Sequence, residues 1–138
     1  MYKVMIVDDE TIILSGIKFL VDWEKNDCVI SSTARNGQEA LREIRKMPPD
    51  IILADINMPV MDGISLLKQV NEEFPHIVFI MLTNLEEFDL ARQALRCRAV
   101  DYLLKSKLEA SVLESSLNLA KKERDQRNRL MAVSSLDY

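Results

Sequence analysis

Histidine, glycine, proline and cysteine are all scarce in this chain, and each scarcity excludes something. A single histidine, His76, leaves no imidazole cluster for zinc and is expected to be structural. The three glycines, Gly16, Gly37 and Gly63, stand far apart, so neither a P-loop nor a dinucleotide fingerprint can be assembled and nucleotide binding is disfavoured. With 3 Gly and 4 Pro the chain is neither collagenous nor of low complexity. Cys28 and Cys97 form no close-spaced metal or redox pair, which predicts two free thiols and no disulfide. The apolar runs are short, the longest being Ile77 to Leu82, so no segment is expected to span a membrane. The opening MYKVMIV lacks an extended apolar region with a small-residue cleavage site, which points to the cytoplasm. The formal charge of -4 argues against direct nucleic-acid binding, and the locally basic stretch from Lys121 to Arg129 is expected to be a solvated helix face.

What is present is alternation. At 138 residues and 48% hydrophobic content, one domain with a substantial core is expected. Four short apolar runs, Val4 to Val7, Ile51 to Ala54, Ile77 to Leu82 and Val100 to Leu104, have the length and β-branched content of strands buried on both faces. A fifth, Cys28 to Ala34, turns polar after Ile30 and suits an edge. Between them the period changes to that of helices: Ile13, Ile17, Leu20 and Val21 after a candidate Thr11 cap; Ala40, Leu41, Ile44 and Met47 after Asn36-Gly37; Leu66, Leu67, Val70 and Phe74. Phe88, Ala91, Ala94 and Leu95 repeat it. Val112, Leu113, Leu117 and Ala120 mark a last helix that charged residues extend to about Arg129. Five β-α units predict a flavodoxin-like, doubly wound (βα)5 sandwich with a parallel sheet in the order 2-1-3-4-5.

In such sheets ligands bind beyond the carboxyl ends of the strands. The first strand is followed by Asp8, Asp9 and Glu10, the third by Asp55, the fourth by Thr83 and the fifth by Lys105. Singly each has a plain structural explanation: a helix-start charge for Asp9 or Glu10, turn chemistry for Asp55, a cap for Thr83, a snorkelling surface lysine for Lys105. Their joint arrival at the ends of four adjacent strands favours a functional crevice. Asp8, Asp9 and Asp55 carry three negative charges and Lys105 returns one positive charge, which leaves a site for one divalent cation. Hard oxygen ligands suit Mg²⁺, with Mn²⁺ as the alternative. A metal beside a carboxylate, a hydroxyl and an ammonium suits phosphoryl transfer, with Asp55 as nucleophile and the donor something other than a nucleotide. Glu10 is assigned only a favourable charge at the start of the first helix.

The segments VDDE, DIILADINMPVMDG, FIMLTN and AVDYLLK, in this order over residues 1–120, resemble the receiver domain of two-component response regulators. The resemblance implies that Asp55 accepts phosphate from a phosphohistidine of a sensor histidine kinase, self-catalysed and without other enzymatic activity. It implies Mg²⁺ held by Asp9, Asp55 and the backbone carbonyl of Asn57, with Asp8 acting mostly through water. Lys105 would pair with Asp55 and then with the phosphate, Thr83 would donate to a phosphate oxygen, and Tyr102 occupies an aromatic switch position. The altered surface of the fourth helix and fifth strand would be read by a partner, commonly a second copy as a homodimer on phosphorylation. Three departures stand out: Ser106 where proline commonly follows the lysine, Asn84 where a small residue is common, and Leu85, expected with Asn57 to slow attack by water.

VDWEKNDCVISSTARNGQEAL and TNLEEFDLARQAL further resemble regulators carrying an AraC-type DNA-binding domain. Residues 121–138 are expected to be a helical extension or linker toward such an effector domain, so that DNA is contacted only through a segment outside this chain. Two other readings remain open: a metal-dependent phosphohydrolase with an aspartyl nucleophile, and a degenerate receiver serving as an interaction module.

Overall fold

The structure is a computed structural model that describes residues 1–136, with side-chain surroundings through residue 132; the last two residues of the expected C-terminal extension, 137 and 138, lie outside the described residues. Five strands and five helices alternate: β1 (Tyr2–Val7), α1 (Thr11–Leu20), β2 (Cys28–Ala34), α2 (Gly37–Lys46), β3 (Ile51–Asp55), α3 (Gly63–Glu73), β4 (Val78–Thr83), α4 (Phe88–Arg96), β5 (Asp101–Leu104) and α5 (Ala110–Leu136). Short 3-10 turns occupy Glu24–Asn26, Leu85–Glu87 and Lys105–Lys107. The strands pair in parallel in the order β2-β1-β3-β4-β5, as the alternation predicts, with polar β2 at an edge.

Because successive strand residues face opposite sides, each apolar run feeds two cores. Val7, Ala54, Phe79 and Met81 point to the side covered by α2, α3 and α4, where Ile44, Leu67 and Ala91 meet them. Ile6, Leu53, Ile80 and Leu103 point to the side covered by α1 and α5, against Ile17, Leu113 and Leu117. All six residues of β4 are buried, which explains its unbroken apolar sequence.

Several local expectations change. The N-cap of α1 is Glu10 in extended conformation, and Thr11 begins the helix instead of capping it. Asn36 caps α2 by accepting from Glu39 N at 2.9 Å, while Met47, expected on the buried stripe, is the C-cap and half exposed. In α4 the buried residues are Ala91 and Ala94, whereas Phe88 is 56% exposed. The inward stripe is therefore Glu87, Ala91 and Ala94, since Glu87 is only 8% exposed.

The last helix runs past the expected Arg129 to Leu136 without a break at residue 120. Its second half is tied to the amino-terminal end of the sheet. Arg127, 6% exposed, donates to the carbonyls of Ile77 at 2.7 Å, Pro75 at 3.3 Å and Arg98 at 3.1 Å, and pairs with Glu123 at 2.9 Å. Arg124 pairs with Asp50 at 2.9 Å, and the Tyr2 hydroxyl donates to Asp125 at 2.8 Å. Among the described residues, no helix is long and apolar enough to cross a membrane.

Candidate functional site

The β1 and β3 ends are adjacent in the sheet, so chain register alone brings Asp8 and Asp55 together. The approach is made tight by Gly63: a Cβ there would fall 2.3 Å from the Asp55 carbonyl oxygen and 2.9 Å from Ile56 Cα. The start of α3 therefore sits directly against the end of β3, with Gly63 N donating to Ile56 O at 2.9 Å. The intervening loop is strained. Val60 has φ 70, and Met61 N donates to Pro59 O at 2.8 Å, closing a three-residue turn that a β-branched residue adopts only at a cost.

Asp8 and Asp55 are 0% and 2% exposed. Lys105 reaches from the end of β5 with its side chain 8% exposed, and its ammonium lies 3.0 Å from Asp8 Oδ2 and 3.0 Å from Asp55 Oδ2. Asp8 Oδ2 is buried and, this charge contact apart, has no hydrogen-bond partner among the described residues. Asp8 Oδ1 accepts from Glu10 N at 2.9 Å, and Asp55 Oδ1 accepts from Asn57 N at 3.3 Å. Asp8, Asp9, Glu10 and Asp55 each place a carboxylate oxygen within 4.8 Å of the others.

Such crowding shifts titration. Burial, then the charge of Asp8, pushes Asp55 up to about 6, against the pull of Lys105. Burial raises Asp8 as well. Burial alone would lower Lys105, but its contacts with Asp8 and Asp55 override this and hold the ammonium above its ordinary range. The site thus contains more negative charge than its one lysine neutralises. Oxygen donors only, one of them a buried acceptor with no hydrogen bond, fit a hard divalent cation.

The structure brings Asp8, Asp9, Asp55 and Lys105 into one cluster. Asn57 adjoins it through its backbone while its side chain is exposed. Thr83 is buried at the end of β4, but its hydroxyl donates to Asn84 O at 3.1 Å rather than toward Asp55. Tyr102 is half-buried on β5, packed against the core on the α2–α4 side. The Lys105–Ser106 bond is trans, since no cis peptide occurs among the described residues. Leu85 is 67% exposed.

Two residues escape sequence reasoning. Glu10 is more than a helix-start charge: its Oε1 accepts from Lys105 Nζ at 3.3 Å, because the extended N-cap backbone turns the side chain back over the site. Glu87 is buried and closes a capping box, its Oε1 accepting from Asn84 N at 2.9 Å while Asn84 accepts from Glu87 N. The Asn-x-x-Glu spacing was the available signal for that second residue.

A family model described as the response regulator receiver domain matches residues 4–117. The chain is 37% identical over 115 residues to the transcriptional regulatory protein YesN of Bacillus subtilis (strain 168), covering 83% of this chain and 31% of YesN. Its fold superposes with a TM-score of 0.84 and 34% identity on the REC domain of AraT, a response regulator from Geobacillus stearothermophilus, covering 92% of this chain and 98% of that one. It is 26% identical, with a TM-score of 0.75, to a chain of the CheX-CheY-BeF3-Mg+2 complex from Borrelia burgdorferi, covering 84% of this chain and 86% of that one. The chain spans less than a third of the length of YesN.

Proposed function

The chain belongs to the response regulator receiver domain family, and on that premise we propose that it is a phosphorylation switch in which Asp55 accepts a phosphoryl group from a phosphohistidine of a sensor histidine kinase. The observation that carries this reading is the buried Asp55 carboxylate, held 3.0 Å from the Lys105 ammonium inside an excess of carboxylates. A carboxylate oxygen of Asp55 attacks phosphorus, an O–P bond forms, and the N–P bond breaks with its electron pair leaving on the imidazole, which takes up a proton. Lys105 is placed to turn from the Asp55 carboxylate to the new phosphate oxygens. Thr83 exchanges its bond to Asn84 O for one to the phosphate, which opens space beside Tyr102.

Asp8, Asp9, Asp55 and the Asn57 backbone carbonyl would hold Mg²⁺, or Mn²⁺ in its place. The chemistry that cation supplies when bound is neutralisation of charge on the incoming phosphoryl oxygens. The similar fold of a chain from the CheX-CheY-BeF3-Mg+2 complex of Borrelia burgdorferi supports this assignment. Asn57, which adjoins Asp55 through its backbone, and Leu85, exposed two residues after Thr83, limit ordered water near the phosphorylated Asp55.

Residues 1–120 form the receiver, and 121–138 lead toward an effector domain through which DNA is contacted. The phosphorylated α4–β5 surface recruits a second receiver in the cytoplasm. Apart from its own phosphorylation and dephosphorylation the domain catalyses nothing. Incubation with acetyl phosphate and Mg²⁺ should add a single hydroxylamine-labile phosphate, lost in Asp55→Asn. Sustained turnover of assorted phosphate esters would favour a hydrolase, and an unmodified protein would favour a bare interaction module.

A further inference from the structure

Glu87 is a buried acid whose second oxygen, Oε2, has no hydrogen-bond partner. A buried carboxylate oxygen without a donor is costly, and a donor supplied in another state of the molecule would satisfy it. Glu87 is buried like Ala91 and Ala94, which meet the core beneath α4. The buried side chains of that core are apolar, among them Phe79, Met81 and Leu67, and offer no strong donor.

Two hydroxyls border this side of the sheet. Thr83, two residues after the inward-facing Met81, is committed to Asn84 O at 3.1 Å, and in the proposed mechanism it turns to the phosphate. Tyr102 pairs with Met81 across β4 and β5 and packs against the same core, and among the described residues its hydroxyl has no hydrogen-bond partner. A buried acceptor lacking a donor and a half-buried hydroxyl with no acceptor among the described residues thus border the same side of the sheet, to which Thr83 also belongs.

We propose that Glu87 Oε2 receives the Tyr102 hydroxyl when Asp55 is phosphorylated. Glu87 is then a positioning residue with a different task for each oxygen: Oε1 caps the Asn84–Glu87 turn in both states, and Oε2 holds the tyrosine only in the switched state. This rests on the phosphoacceptor reading above and adds the residue that anchors its moving aromatic ring.

The test uses BeF3⁻ with Mg²⁺ as the phosphoryl mimic on the whole chain. Glu87→Gln keeps a carbonyl to cap Asn84 and replaces the charged acceptor. Glu87→Gln and Tyr102→Phe should each weaken BeF3⁻/Mg²⁺ binding by about tenfold, the weight of one hydrogen bond to a charged acceptor, and the double variant should be no weaker than the worse single one. With 3-fluorotyrosine incorporated, the resonance that Tyr102→Phe removes should move on BeF3⁻ addition in the parent and stay in place in Glu87→Gln. Additive losses, or an unchanged movement of that resonance in Glu87→Gln, would overturn the proposal while leaving the phosphoacceptor reading intact. A parent protein that binds no BeF3⁻ would instead remove that reading and this one with it.

Discussion

Replacing Asp55 by Asn should make the metal-free protein more stable, even though it removes an ion pair with Lys105. In the folded state burial and the charge of Asp8 push Asp55 from 3.8 up to about 6, and that net shift already includes the compensation by Lys105. Two units at about 1.36 kcal/mol each correspond to about 3 kcal/mol of disfavoured ionisation above pH 7. Relaxation around the cluster leaves about 2 kcal/mol, or a rise of roughly 6 °C in Tm for a domain of this size. The sign follows from linkage: a carboxyl with a raised folded pKa contributes stability below 3.8 that is lost as pH rises through about 6. The advantage of Asp55→Asn should therefore be near zero at pH 4, open between pH 4 and 6, and be constant from pH 7 to 8. Thermal unfolding in EDTA at these pH values measures it. Saturating Mg²⁺ should narrow the gap, since the cation stabilises the parent more than the variant. An Asn variant no more stable than the parent at pH 7 in EDTA, or a gap equal at pH 4 and pH 7, would refute the account of charge crowding.

Val60→Gly should stabilise the protein by about 1 kcal/mol, because relief of the positive φ of an exposed β-branched residue exceeds the added entropy of the unfolded chain; a lowered Tm would contradict it. Leu85→Glu should raise the dephosphorylation rate of phosphorylated Asp55 severalfold by placing a water-orienting carboxylate two residues after Thr83, and an unchanged rate of phosphate release would remove Leu85 from the account.

The sheet was legible because burial on both faces leaves a simple trace. β1, β3 and β4 read as unbroken apolar runs, and the polar turn of Cys28–Ala34 marked the edge correctly. The convergence of Asp8, Asp9, Asp55 and Lys105 was legible for the same reason, since strand order decides which carboxyl ends are neighbours. Hydrophobic periodicity failed where a charged side chain occupies an inward position. It favoured Phe88 over Glu87 at the start of α4, and it ended α5 as a solvated face although Arg127 is buried. An acid that uses a backbone N–H and an arginine that uses three carbonyls find partners distant in sequence or carried by the main chain, which leaves no periodic mark. Glu10 was misjudged because its role depends on a backbone angle at the N-cap, and the present partner of the Thr83 hydroxyl, Asn84 O, was not legible because it depends on a rotamer.

The Arg127 contacts bear on how the domain comes apart. One side chain holds the segment before β4, the segment before β5 and the second half of α5. Their amides should exchange with solvent through a common opening event whose free energy is that of withdrawing a single guanidinium. The amino-terminal rim of the sheet then behaves as one cooperative unit, separable in time from the carboxyl-terminal rim where the carboxylates gather.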